Sequence, residues 1–538
     1  MMKQIFITTS FLLATTISIF GQTSENQSQS EVDHFLNWQN KSIGSDDAFG
    51  VETEKTYNEL LKDKKSTTVI VAVIDGGIDI THEDLKENIW INKDEIPDNG
   101  IDDDNNGYID DIHGWNYLGN ANGENISYEN LEITRIYREF KPKYENAKKR
   151  KLNGKDLENY DLYKLAEKKY KKEYKMATRQ AIGFRKFTSK YNDTYHKITE
   201  ILNDTLLTIE KLDSLKLANK KLKKDIKFIY PFVQYGFSMD MFKEFETEIT
   251  KQLDYHLNLE FTPRDIIGDN QDDFNTVYGN NNVYGPHAFH GTHVSGIIAA
   301  IRNNDLGING IAGDVKIMAL KVVPDGDERD KDVAKAIRYA ADNGARIINM
   351  SFGKELSSHK HYVDEAIQYA QEKGVLLIHA AGNDANNIDE IKQYPTKNIS
   401  ANKQLNTWIT VGASSLKKDK SLPANFSNYG KTMVDVFAPG VRIKSLAPEN
   451  NYEYADGTSM AAPVVSGVAA LILSYYPELT ASEVKEIILK SVNKCPELEV
   501  EKPGYARRKK KMQFGELSVT GGVVSAYNAL KLADSYKK

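Results

Sequence analysis

A single cysteine, Cys495, in a chain of 538 residues leaves no partner for an internal disulfide. Stability outside a reducing compartment must then come from other sources. The thiol reads as packed or idle rather than as a lone nucleophile. Positive charge is not in excess either. The chain has 70 Lys and Arg against 76 Asp and Glu, a net charge of −6. That balance excludes a nucleic-acid binder whose affinity rests on phosphate contacts. Beyond the N-terminus no stretch reads as apolar enough to cross a bilayer. Two catalytic signatures are also missing. There is no His-Glu-x-x-His zinc pattern and no Gly-x-Ser-x-Gly elbow.

What the chain does have begins with an apolar run. Lys3, then Ile5 to Phe20, then Gly21 and Gln22 have the shape of a secretory signal, too short for a comfortable span. Residues 1–21 are read as a signal peptide and the protein as exported, secreted or periplasmic. The polar stretch 22–50 reads as a leader or linker. From Thr67, "TTVIVAVIDGG" is a continuous Val/Ile/Ala run, as expected of a strand buried on both faces of a parallel sheet. "VKIMALKVV", "ARIINMSFG", "VLLIHAAGN" and "TWITVGAS" repeat it. They alternate with helical stretches closed by glycine, such as "DVAKAIRYAADNG". This rhythm predicts an α/β fold with active loops at the carboxyl ends of the strands.

The rhythm holds over 51–118 and 265–538 and is interrupted over 119–264. There apolar residues recur at steps of three and four: Ile198, Leu202, Leu206, Ile209, Leu212, Leu215, then Leu222, Ile226, Ile229. The spacing predicts amphipathic helices in a coiled-coil-like insertion, broken near Gly154, Gly183 and Pro231, with a solvated Lys/Glu face. The basic run at 507–512 reads as a solvated loop.

Three glycine-flanked polar residues fall where strands or helices end: Asp75 in "VAVIDGG", His290 in "FHGTHVSG" and Ser459 in "DGTSMAAP". An acid, an imidazole and a hydroxyl suit nucleophilic acyl transfer. Asn383, in "HAAGNDA", is placed to donate its amide to an oxyanion. Small residues and Pro463 after Ser459 suit a helix whose start must accept a close neighbour. A serine merely capping its helix is the plain alternative at that turn. His290 and His293 as two metal ligands is another, with no obvious third ligand.

Taken together and in order, "VAVIDGGID", "HGTHVSG", "AAGN" and "GTSMAAP" resemble the subtilisin-like serine endopeptidases, with "FSNYG…DVFAPG" and "GGVVSAYNAL" adding to the likeness. The resemblance implies a parallel sheet flanked by helices and hydrolysis of protein or peptide substrates. In it Asp75 orients, His290 is the general base, Ser459 attacks and Asn383 stabilises the oxyanion, with His293 a packed helix residue. Ser351, Phe352 and Gly353 would pair with an extended substrate. Ala381, Gly382 and Gln393 would line the first pocket, where the Gln393 amide shortens or polarises it. A calcium loop is implied at Asp84 and Asn304, with carbonyls from Leu306 and Ile308.

A second calcium candidate comes from spacing alone. Asp102, Asp104, Asn106 and Gly107 fall at EF-hand-like positions with Ile109 as the apolar one. His113 stands where the bidentate Glu belongs, so Asp110 or Asp111 would have to substitute. An acidic turn without metal is the alternative.

Two departures stand out. Asp75 and His290 are separated by the insertion, and the stretch between signal and first strand is short for a folded inhibitory propeptide. The insertion is expected to restrict or select substrates. The reading from a different class is an inactive binding scaffold that acts through the insertion, whose partner is unknown.

Overall fold

The computed structural model describes residues 35–42, 48–271, 273–400, 403–506 and 510–536. The signal-peptide segment 1–21 and residues 507–509 of the basic run lie outside them.

The apolar runs form a mostly parallel sheet. Its strands are β1 (Val69–Asp75), β2 (Gly114–Asn116), β3 (Val315–Lys321), β4 (Ile347–Met350), β5 (Leu376–Ala380), β6 (Trp408–Ser414), β7 (Val436–Pro439), β10 (Asn493–Lys494) and β11 (Gly522–Val523). A separate antiparallel hairpin pairs β8 (Ile443–Ala447) with β9 (Asn451–Ala455). The sheet order is β10-β11-β7-β6-β5-β4-β1-β3-β2, and among these neighbours only β10 and β11 pair antiparallel. β1 lies at the centre of the site, with Asp75 opposite Lys321 of β3 and Ile74 opposite Met350 of β4.

Alternation explains why these runs are continuous rather than striped. Val71 and Val73 face one core, with Ile297, Val464 and Val468. Ala72 and Ile74 face the other, with Ile337 and Ile367. Both faces of the strand are buried, so every position before Asp75 is apolar.

The first segment expected as linker is partly built into this body. Trp38 is fully buried and its Nε1 donates to Val441 O and Arg442 O. The Asn40 amide donates to Asn309 O, and Phe49 N donates to Leu416 O. Phe35, Leu36, Ala48 and Phe49 pack into the same body and anchor it alongside the indole.

The insertion leaves after β2 and is helical: α1 (Glu132–Tyr144), α2 (Gly154–Leu202), α3 (Ile209–Ala218), α4 (Lys223–Gln234) and α5 (Met239–Lys251). Gly154 opens α2 in the left-handed region. Gly183 and Pro231 do not break their helices. They lie inside α2 and α4 respectively, and the chain turns instead at Asn203, also left-handed. One interior glycine costs only about 1 kcal/mol. Pro231 is flanked by Phe228 and Phe232, whose rings pack on Phe187 and offset the lost hydrogen bond. Most of the predicted stripe is buried here, including Ile198, Leu212, Leu222, Ile226 and Ile229, but Leu206 is exposed.

Among the helices outside the insertion, α6 (Ala288–Ala299), α7 (Asp330–Asp342), α8 (Lys360–Glu372) and α9 (Thr458–Tyr475) flank the sheet. Contrary to the sequence reading, α9 has the length and mean hydropathy, 1.5, to cross a membrane. It is, however, 89% buried as a core helix. Cys495 is buried, and burial pushes its thiol up to about 11. It suits the packed-thiol reading.

Candidate active site

The carboxyl ends of β1, β4 and β5 lie side by side, and α9 begins against them. Asp75 closes β1, almost fully buried, with Gly76 N donating to its Oδ1 at 2.8 Å. His290 sits in the first turn of α6. That helix can approach β1 because Gly291 has no side chain: a Cβ there would lie 2.2 Å from Gly77 O. His290 Nδ1 lies 2.8 Å from Asp75 Oδ1 and 2.9 Å from Oδ2. Burial alone would lower the imidazole's pKa. The Asp75 charge and hydrogen bond outweigh burial and hold it above its ordinary value.

Ser459 is the second residue of α9. Its Oγ donates to Ser351 O at 3.0 Å, while Ser351 Oγ donates to Ser459 O at 3.0 Å. Asn349 and Ser466 extend this brace behind the turn. Among the described residues no hydrogen bond joins Ser459 to His290. Such bonds are often long before a substrate is present. Asn383 is exposed, and its Oδ1 accepts from Thr458 N and Thr458 Oγ1, both at 2.9 Å. With the oxygen fixed, the Nδ2 amide is the end left to face outward.

The stretches expected to bind substrate border the same place. Gly382, at φ +99°, has Asn428 Nδ2 only 2.4 Å from where a Cβ would be, so no other residue fits there. Ala381 O accepts from that Asn428 amide. Gly353 is exposed, Phe352 O meets His379 Nε2 at 2.8 Å, and Gln393 stands half-buried before Tyr394. His379 was not singled out from sequence. Its signal was a polar residue inside the apolar run "VLLIHAAGN". Burial lowers it to about 4, so at neutral pH it is uncharged and donates to Phe352 O.

His293 does not share a site with His290. Its Nε2 faces Glu453 O at 3.1 Å, and burial lowers it to about 3. Among the described residues, no group of three or more metal-ligating side chains includes either histidine, so a shared histidine metal site is unsupported.

The candidate calcium residues fall in two places. Asp84 is fully buried and accepts from Asn304 Nδ2 at 2.7 Å, and burial raises its pKa. Asn304 Oδ1 accepts from Leu306 N. Leu306 is exposed and Ile308 buried. The N-terminal segment packs on this loop through Asn37 and Asn40. Gln39 of that segment has both amide atoms buried without a partner. A hard cation near this set would suit the buried carboxylate and amides.

The second loop differs from its expected form. Glu95, Asp104 and Asp111 gather with ligand oxygens within 4.8 Å of one another. Asp102 instead caps the turn, accepting from Asn106 N and Gly107 N, and Asn106 Oδ1 accepts from Tyr108 N. Ile109 is exposed, and His113 Nδ1 pairs with Trp90 O. The missing element was Glu95, brought in by the chain folding back seven residues earlier, which no loop spacing registers. The three carboxylates are an all-oxygen set of the kind calcium takes. Burial raises Asp111 to about 6.

Comparison with known proteins decides the family. A family model described as the subtilase family, Peptidase_S8, matches residues 66–515. The chain belongs to the subtilase family. It is 43% identical over 187 residues to "Thermophilic serine proteinase" of Bacillus sp. (strain AK1), covering 34% of this chain and 42% of the relative. It is 38% identical over 198 residues to "Subtilisin DY" of Bacillus licheniformis, covering 36% of this chain and 67% of the relative. With "Thermitase" of Thermoactinomyces vulgaris it shares 39% over 186 residues, 34% of this chain and 61% of the relative. The chain thus spans about two fifths to two thirds of the length of these curated relatives. The matched region contains the four motif stretches, the helical insertion and every strand of the main sheet except β11.

Proposed function

We propose that this subtilase is an exported serine endopeptidase acting through Asp75, His290 and Ser459, with Asn383 as oxyanion donor. The observation that carries this reading is the short pairing of His290 Nδ1 with both oxygens of a buried carboxylate, 2.8 and 2.9 Å. That pairing commits Nδ1–H to Asp75 and leaves Nε2 as the base. In the proposed reaction the Ser459 hydroxyl leaves Ser351 O, gives its proton to Nε2 and attacks the scissile carbonyl. The proton returns to the leaving amine, and water repeats the sequence to free the acyl group. Thr458 holds the Asn383 oxygen, so the free amide stabilises the developing oxyanion. An extended peptide would pair with the edge at Ser351–Gly353, with Ala381, Gly382 and Gln393 bordering its first pocket.

Calcium would be structural. Asp84, Asn304 and the carbonyls of Leu306 and Ile308 would hold one ion, and Glu95, Asp104 and Asp111 another. The domain scheme follows: a catalytic body from 51–118 and 265–538, interrupted by a helical arm within 119–264. The scaffold reading is disfavoured because all four catalytic residues are present together.

The test is covalent. Ser459→Ala should abolish peptide hydrolysis and labelling by a fluorophosphonate, since no other residue is placed to be acylated. A label found on Cys495 or on another serine would sink the assignment.

A further inference from the structure

β4 and β3 stand on either side of β1, and β1 stops at Asp75. The chains continuing from β4 and β3 therefore flank a gap of about two interstrand spacings, roughly 9.6 Å, which fits one added strand. One wall is the edge at Ser351–Gly353. Backbone groups of successive residues point alternately to the two sides of a strand. Phe352 O meets His379, and the N–H and C=O of Lys354 pair with Tyr394, all on the inner side. Ser351 and Gly353 therefore turn their groups to the gap, where Ser459 Oγ already meets Ser351 O. Antiparallel pairing, the more stable kind, would lay the residues N-terminal to the scissile bond along this edge, and they reach Lys354 after about three.

There the gap is crossed. Lys354 sends its ammonium to Glu328 O, on the chain after β3, at 2.7 Å, with Asp330 at 3.0 Å and Glu132 at 3.3 Å. Arg135 of arm helix α1 donates to the same Glu328 carbonyl at 3.0 Å and to Asp327 O at 2.9 Å. Lys354, Glu328, Glu132 and Arg135 are all buried. The cavity beside them, between Glu328, Lys354 and Tyr394, is about 10 Å³, room for one water and no side chain. Admitting a fourth substrate residue would mean separating buried charges from their partners, which is strongly unfavourable.

We propose that Lys354 and Arg135 plug the substrate groove, so that three residues on the acyl side are ordered and the fourth is turned out to solvent. The arm thereby sets the length of peptide read. The inference rests on the protease reading above, and its test keeps the two apart. N-acylated peptide anilides of one to five residues are compared on the full chain. kcat/KM should rise up to the third residue and then change by less than about twofold. A gain of about tenfold or more on adding the fourth overturns the plug and leaves the protease intact. Lys354→Gly should raise the tetrapeptide-to-tripeptide ratio at least about fivefold, and an unchanged ratio in a folded variant overturns it. Should that variant fail to fold, the native length series decides alone. No turnover at any length, together with no label on Ser459, would remove the protease reading and this inference with it.

Discussion

The sheet-bearing body is filled by Val71, Val73, Ile297, Val464 and Val468, while the distal arm is filled by Phe184, Tyr191, Phe232 and Phe242. In the body, β-branched residues of β1, α6 and α9, far apart in sequence, interlock on one face of the sheet. In the arm, rings from α2, α4 and α5 meet edge to face, Tyr191 and Phe242 at 4.7 Å and Phe187 and Phe242 at 5.6 Å. All of these ring partners come from helices of the insertion itself. The base of the arm is a third case: the buried charges Glu129, Glu132, Arg135 and Arg264 pair among themselves and reach the body through Arg329, Lys354, the Asp327 and Glu328 carbonyls and Asp332. The contrast is between a body that needs the whole chain and an arm tip with an interior of its own, joined by ion pairs. Forming a buried ion pair adds little net stability, but removing one partner leaves an uncompensated charge and is strongly destabilising.

The sharpest way to test that division is to damage catalysis in the body. Asn383→Ala should lower kcat roughly 10²–10³-fold with KM nearly unchanged, a range taken over from subtilisin itself. The loss should be the same whether or not the arm tip is intact. A raised KM with kcat preserved would make Asn383 a ground-state contact. Next comes a pair of cavity variants. Phe242→Ala should cost about 3–5 kcal/mol and Leu471→Ala about 2–5 kcal/mol. Hydrogen exchange should report the first only in α2–α5 and the second throughout the body. Global loosening by Phe242→Ala would merge the two interiors into one. The smallest effect is expected from metal. Chelation should lower the body's melting transition by a few degrees and calcium restore it, because an ion held only by the folded state stabilises by mass action. The arm's own exchange should not respond. Indifference of the body to both treatments would remove the calcium proposal.

Much of the site was legible because its chemistry interrupts regular patterns. Asp75 and Asn383 stand beside glycine where apolar runs end, and His290 and Ser459 open apolar helices with a glycine within two residues, so polar residues at such ends are visible without a structure. The strands were legible because burial on both faces leaves no alternation to confuse. Gly183 and Pro231 misled because local propensity lost to aromatic packing from other helices. Glu95, Gln39, His379 and Lys354 escaped because their roles come from partners distant in sequence or across a strand edge. Nothing in the run "SFGKEL" says that a lysine following the substrate edge will cross to the chain beyond β3. Trp38 escaped for the same reason, being one indole in a polar stretch.

That indole carries a consequence for timing. Trp38 bonds to carbonyls 403 and 404 residues further along. At ribosomal rates of about 5–20 residues per second, roughly 20–80 s separate the synthesis of the two ends of this clasp. Val441 and Arg442 come fewer than twenty residues before Ser459 in the chain. The anchor's partners and the nucleophile are thus made almost together. A nascent chain has neither until the other is nearly available, so latency during synthesis is written into the order of the polypeptide.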